Sequence, residues 1–307
     1  MNYVLRTFDL SKKYKNRYAV NSANMNVAQG DIYGFVGENG SGKTTIIRLV
    51  TGLIHPNSGD FELFGVKSTD PGIYDARKNI GAIVETPSIY KNMSATDNLL
   101  LQSDLLGIND KSKVKETLDI VGLGDLYGEK KAAGDFSLGM RQRLGIAMAL
   151  IGDPKFIILD EPMNGLDPAG IVEVRELILK LNREFGITFL ISSHILSELE
   201  LVATRYGIIS KGKIIKEISS EELHNICQKY TLVRAENMDA LLQTVTETFK
   251  KNSAIVENGY VKISGDIDLN LLFAKLIESE NKILAVNCRE TSFEEYYLSL
   301  VGGKGND

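Results

Sequence analysis

Residues 34–53, GFVGENGSGKTTIIRLVTGL, join a glycine-rich turn to an apolar helical pattern, and this join restricts the fold more than any other stretch of the chain. Gly37, Gly40, Gly42, Lys43 and Thr44 satisfy the spacing G-x-x-x-x-G-K-[ST], and a β-type run, DIYGFVG, leads into it. A strand–turn–helix of this kind belongs to an α/β core in which the backbone of Gly37, Glu38, Asn39, Gly40, Ser41, Gly42, Lys43, Thr44 and Thr45 faces one anion. The glycines let N–H groups approach phosphate oxygens, and the helix start adds a favourable dipole. Lys43 reaches the β- and γ-phosphates, and the Thr44 hydroxyl suits Mg²⁺.

A second element lies in KFIILDE, residues 155–161, a short buried strand ending in two carboxylates. The C-terminal ends of strands are where open α/β sheets hold ligands. Asp160 suits a Mg²⁺ shell, and Glu161 suits a base that orients and deprotonates an attacking water. Around it, Ile171, Val174, Ile178, Leu181 and Phe185 form one face of a helix, and the strand ITFLISS follows. This alternation predicts a mostly parallel sheet wrapped by helices.

The flanking segments read differently. NYVLRTFDL and AVNSANMNV, separated by the basic turn SKKYKNR, predict a small antiparallel sheet. Residues 88–152 carry helical spacing and read as an inserted helical subdomain. Past the hairpin IISKGKIIKEI come YTLVRA, a helix at about 238–250, two strands around ENGY, a helix at 268–279, ILAVNC and SFEEYYLSLV. Those elements predict a separate α+β domain of ferredoxin-like order, and thus a division into 1–219 and 220–307.

The 307 residues, 43% of them apolar, are enough for one large and one small core. A net charge of −5 gives no reason to expect nucleic acid or an anionic membrane surface as partner. Cys227 and Cys288 are too distant in sequence for a zinc knuckle and are expected as reduced core thiols, which suits a cytosolic chain. The opening MNYVLRTFDLSKKYK lacks a signal-peptide apolar region. Runs such as FIIL and IAMALIG are too short to span a bilayer, so the chain is not expected to cross a membrane alone.

The third element is FSLGMRQRLGIAMAL, residues 136–150, a serine and glycine at a helix start and hence a second anion-binding geometry. Two such geometries in one chain suggest a shared nucleotide. This stretch resembles the signature motif of ATP-binding cassette (ABC) ATPases, and the family's other motifs stand in order. They are Tyr14 in an aromatic turn, the loop at 37–45, Glu85 in IGAIVETPSIY, the signature at 137–141, FIILDE at 156–161, GLDP at 165–168, and His194 after a strand. The resemblance covers residues 1 to about 220. It implies an ABC-type P-loop NTPase core with an antiparallel β subdomain and a helical subdomain. It also implies that ATP and Mg²⁺ are the cofactors. In the family's pattern Tyr14 stacks on adenine, with Tyr18 as a competing stacker. Thr44 and Asp160 hold Mg²⁺, Glu161 is the base, and His194 contacts the γ-phosphate. Ser137 and Gly139 contact the ATP held by a second copy of the chain, and Asp167 lies at the seam.

Two departures from the common pattern stand out. Glu85 occupies a position where most cassettes have glutamine, which adds a negative charge near the metal and loses an amide donor. In the signature, Leu138 replaces a glycine and Met140 a glutamine. The glutamate, the signature and the C-terminal TSFEEYYLSLVG together are similar to the ATPase subunits of bacitracin-resistance and lantibiotic-immunity exporters. That likeness implies export of an amphiphilic antimicrobial peptide through a separately encoded permease, with the chain on the inner face of the membrane. The competing readings are the ATPase of another exporter and a nucleotide-dependent regulatory sensor whose C-terminal domain binds a small ligand. Cassette ATPases acting on nucleic acid carry coiled-coil insertions or tandem cassettes, and this sequence has neither.

Overall fold

The computed structural model describes residues 2–302. The chain divides into two compact units, Met1–Ser220 and Glu221–Asp307. The first contains β1 (Tyr3–Tyr14), β2 (Arg17–Ala28), β3 (Ile32–Val36), α1 (Lys43–Thr51), β4 (Ser58–Leu63), β5 (Val66–Lys67), α2 (Ile73–Arg77) and β6 (Ile80–Ile83). It continues through α3 (Ala95–Leu106), α4 (Ser112–Ile120), α5 (Leu138–Leu150), β7 (Phe156–Asp160), α6 (Pro168–Phe185), β8 (Thr188–Ser193), α7 (Leu196–Glu200), β9 (Arg205–Ser210) and β10 (Lys213–Ser219). Its central sheet runs β10-β9-β3-β8-β7-β6, and every neighbouring pair is parallel except β10 with β9.

The central strands β3, β7 and β8 are buried at every residue. Covered on both faces, they read IYGFV, FIILD and TFLISS, near-continuous apolar runs instead of alternating ones. Register places Phe35 beside Ser192 and Asp160 beside Ser192, so the glycine loop after β3 and the carboxylates after β7 emerge at the same end of the sheet. A second sheet, β2-β1-β4-β5, is antiparallel. Tyr33 in β3 donates its hydroxyl to Glu217 Oε1 in β10 at 2.8 Å, and Glu217 also accepts from Asn26 N and Nδ2 in β2. Full burial and the adjacent carboxylate push the Tyr33 phenol well above its ordinary pKa. These part-buried bonds tie the two sheets together.

The ribbon β1–β2 is longer than the sequence pattern indicates. SKKYKNR is not a long turn: Lys12, Lys13 and Tyr14 pair with Val20, Tyr18 and Arg17, with bulges, and the reversal is confined to Lys15 and Asn16. On α6, Val174, Ile178 and Leu181 face the core as expected, but Phe185 is 48% exposed, because it is the last helical residue before Gly186 turns left-handed.

The second unit takes in α8 (Ser220–Ile226) from its second residue, then β11 (Lys229–Ala235), α9 (Met238–Thr248), β12 (Ala254–Glu257), β13 (Tyr260–Ser264), α10 (Leu269–Glu278), β14 (Ile283–Glu290) and α11 (Phe293–Gly302). Its sheet is antiparallel in the order β12-β13-β11-β14, the ferredoxin-like arrangement. Asn258 and Gly259, both with positive φ, make the two-residue turn between β12 and β13. Val233, Val261, Ile263, Leu241, Val245, Leu272 and Leu276 form its core. Cys288 departs from expectation: it lies exposed on the edge strand β14, and Cys227 is only half-buried. Among the described residues no helix is long and apolar enough to cross a membrane.

Candidate active site

The loop before α1 owes its shape to its glycines. Gly40 and Gly42 have φ of 79° and 118°, a region that side chains strain to reach. A Cβ on Gly42 would sit 2.5 Å from Ala19 O, and one on Gly37 would sit 2.5 Å from Ile209 O. Gly212, in the β9–β10 turn, donates its N–H to Ser41 O and closes the loop from behind. The Ser41 hydroxyl is buried with no hydrogen-bond partner, a polar atom suited to an incoming oxygen ligand.

Lys43 is 5% exposed. Its ammonium donates to Gly37 O at 2.6 Å and lies 3.3 Å from Glu161 Oε1. Glu161, at a φ of 51°, turns back toward this loop. Its N–H donates to the Ser192 hydroxyl at 3.0 Å, and its Oε2 meets His194 Nδ1 at 2.7 Å. Ser192 donates in turn to Asp160 Oδ1 at 2.5 Å. Asp160 is 2% exposed, and the Ser192 contact leaves its carboxylate with further lone pairs to share. Lys43, Glu161 and His194 are therefore brought together, with Asp160 one residue away and fixed in place.

A 690 Å³ cavity opens on this cluster, lined by Asn39, Gly40, Gly42, Lys43, Thr44, Thr45 and Glu161. Its other wall carries Tyr14, Arg17, Tyr18, Lys211 and Gly212. Lys12 lies over the Tyr14 ring and Lys13 over the Tyr18 ring, and both tyrosines are about half exposed, so either ring can take a planar base. Arg17, Lys211 and Ser192 were missed by the sequence reading. Lys211 sits in the turn of the IISKGKIIKEI hairpin, and only the contact of that turn with the loop reveals its place.

Other expected site residues stand apart from this cavity. Ser137 caps α5, its hydroxyl accepting from Met140 N at 3.2 Å, and Gly139 is buried in the first turn. Asp167 caps α6 by accepting from Gly170 N at 3.0 Å. Arg143 on α5 pairs with Glu173 on α6 at 3.3 Å, linking the two helices one turn or more past their starts. None of Ser137, Gly139 and Asp167 lines the cavity at Lys43. Glu85, expected among the metal residues, is turned elsewhere: its carboxylate pairs with Arg48 Nη2 on α1 at 2.6 Å. Among the described residues no three of His, Cys, Asp and Glu gather into one metal site. A cation here would draw on the Thr44 hydroxyl and the Asp160 carboxylate, oxygen donors of the kind Mg²⁺ prefers, with phosphate and water completing the shell. Glu198, half-buried beside His194, has its pKa raised chiefly by burial, against the lowering effect of a hydrogen bond from Ser193.

A glycine loop that buries a lysine, a carboxylate pair at the next strand's end and a second pair of capped helix starts define an ATP-hydrolysing P-loop cassette. Residues 20–164 match the ABC transporter family. The bacitracin transport ATP-binding protein BcrA of Bacillus licheniformis is 42% identical over 99% of this chain and 99% of its own. The lantibiotic transport ATP-binding protein SrtF of Streptococcus pyogenes is 45% identical over 73% of this chain and 94% of its own. Among solved structures, a nucleotide-free ATP-binding cassette from an ABC transporter superposes with a TM-score of 0.64 at 28% identity, covering 74% of this chain and 95% of that one. The chain belongs to the ATP-binding subunits of ABC transporters, and it binds and hydrolyses ATP.

Proposed function

We propose that this chain energises export of a small amphiphilic antimicrobial peptide, of the bacitracin or lantibiotic kind, through a separately encoded membrane subunit that holds it at the inner face of the membrane. The observation that carries this reading is the 42% identity to the bacitracin transport protein across 99% of both chains, second unit included. A likeness confined to the nucleotide motifs would point to any cassette.

In this reading Lys43 neutralises charge on the β- and γ-phosphates, and Glu161 orients the attacking water and takes its proton. His194, hydrogen-bonded to Glu161 through Nδ1, fixes that carboxylate and faces the γ-phosphate. Thr44 and Asp160 hold Mg²⁺, which supplies charge neutralisation at the phosphates when bound. Tyr14, with Tyr18 beside it, stacks on adenine. Ser137 and Gly139 present a capped helix start with an exposed neighbour, Leu138, and Asp167 lies at the next helix start. Because these groups lie outside the chain's own cavity, they serve the ATP of a second copy, and hydrolysis takes two chains. The second unit is an accessory domain whose proposed role is to stabilise that dimer.

The test is co-expression with the cognate membrane subunit in a peptide-sensitive bacterium. The intact chain is expected to raise tolerance to bacitracin or a lantibiotic, and Glu161→Gln to abolish the gain. Equal sensitivity with both chains would reject the cargo class.

A further inference from the structure

The ion pair between Arg48 and Glu85 carries an inference about how the unusual glutamate is accommodated. Arg48 lies on α1 five residues after Lys43, about 7.5 Å further along the helix axis. Its Nη2 meets Glu85 Oε1 at 2.6 Å, across 37 residues of sequence. Glu85 itself has a φ of 64°, which non-glycine residues adopt only where their surroundings hold them. Its neighbours add a tight turn, with Thr86 N donating to Val84 O at 2.9 Å. Both side chains are partly exposed, 38% for Arg48 and 59% for Glu85, so the pair adds little to folding stability. Its consequence is electrostatic and local.

We propose that Arg48 is the positioning partner of Glu85, neutralising its charge and holding its carboxylate off the phosphates and their metal. Asp160 and Glu161 already place two carboxylates at the strand end beside the loop. An uncompensated carboxylate beside Arg48, on the helix that begins at the phosphate-binding loop, adds negative charge on the side where a polyanion must bind and opposes that binding. Arg48, on the helix that starts at the loop, offsets it where a neutral glutamine would need no such partner. The same pair ties residues 84–86, which follow β6, to the helix that begins at the phosphate-binding loop. The inference rests on the ATP site and is independent of the cargo proposed above.

The experiment measures equilibrium binding of Mg-ATP, and its salt dependence, for the full-length chain carrying Arg48→Gln, Arg48→Lys, or Arg48→Gln with Glu85→Gln. Arg48→Gln is expected to weaken binding about fivefold, the upper range for losing an exposed charge partner. The loss should shrink in 0.5 M salt. Arg48→Lys should keep most of the affinity, and the double variant should recover it, because the carboxylate that needed a partner is gone. Unchanged melting temperatures separate this from a folding defect. An unaltered affinity in Arg48→Gln would overturn the proposal. So would a loss that Glu85→Gln fails to repair, since Arg48 would then act on its own. Neither result bears on peptide export, and failure of export leaves the binding cycle readable.

Discussion

The two units bury different things. In the first, Lys43, Asp160 and Ser192 are nearly inaccessible, yet each is held by a defined partner, and Lys43 lines the cavity. In the second, the described buried residues include no charged group, and the buried polar ones are Thr231 and Asn281. Asn281, a buried polar residue there, exchanges hydrogen bonds with the Asn237 backbone and merely fastens one turn. Burying a charge is expensive unless it is paired, so a chain keeps such groups inside where chemistry needs them. The first unit is built to handle an anion, and the second is built to pack.

The largest expected effect that could break this contrast comes from Glu161→Gln. Removing the base should lower ATP hydrolysis about 10²- to 10⁴-fold while ATP binding survives, measured by phosphate release and by nucleotide titration. Retained turnover would mean that the buried cluster is not catalytic. Next is Leu241→Ala in the second unit, where a fully buried side chain is lost. It should destabilise that unit by about 2–5 kcal/mol in denaturant titration, with ATP affinity unchanged. A fall in affinity would show that the packing unit also shapes the nucleotide site.

Gly42→Ala sharpens the first half of the contrast. The added Cβ meets Ala19 O at a φ of 118°, so about 1–3 kcal/mol of strain falls on the loop, and ATP affinity should drop more than the melting temperature. The smallest effect concerns Glu198. Its folded pKa is raised by burial, so the folded chain holds this proton more tightly than the unfolded one. Its contribution to stability therefore declines as pH rises from the ordinary glutamate value through the folded one. Glu198→Gln should flatten that segment of the stability–pH curve and stabilise the chain slightly at pH 7, as thermal melts across pH 4 to 7 would record.

The same contrast governs what could be read from residues alone. Gly37, Gly42 and Lys43 are legible because their roles arise within seven residues, through backbone geometry that few other residue types allow. KFIILDE is legible because a doubly covered strand must be apolar until it reaches the site. Glu85 could be recognised as an oddity, but its partner Arg48 lies 37 residues away, and nothing in the local pattern links them. Lys211 is hidden for the same reason, since an ordinary hairpin turn carries it to the cavity. The extent of β1 and β2 depends on cross-strand pairing of lysines and tyrosines that read as a turn, and the exposure of Phe185 and Cys288 follows from a helix end and a sheet edge. In the second unit, apolar periodicity encodes the βαββαβ order well and no chemistry at all.

In the proposed dimer the cavity at Lys43 is half a site, completed by Ser137 and Gly139 of another copy. Size-exclusion chromatography with light scattering on Glu161→Gln, with and without Mg-ATP, tests it most directly, because removing the base traps bound nucleotide. A monomer is expected that becomes a dimer on adding Mg-ATP and returns to monomer when Ser137→Arg is added to the same chain. A chain that binds Mg-ATP and stays monomeric would contradict it.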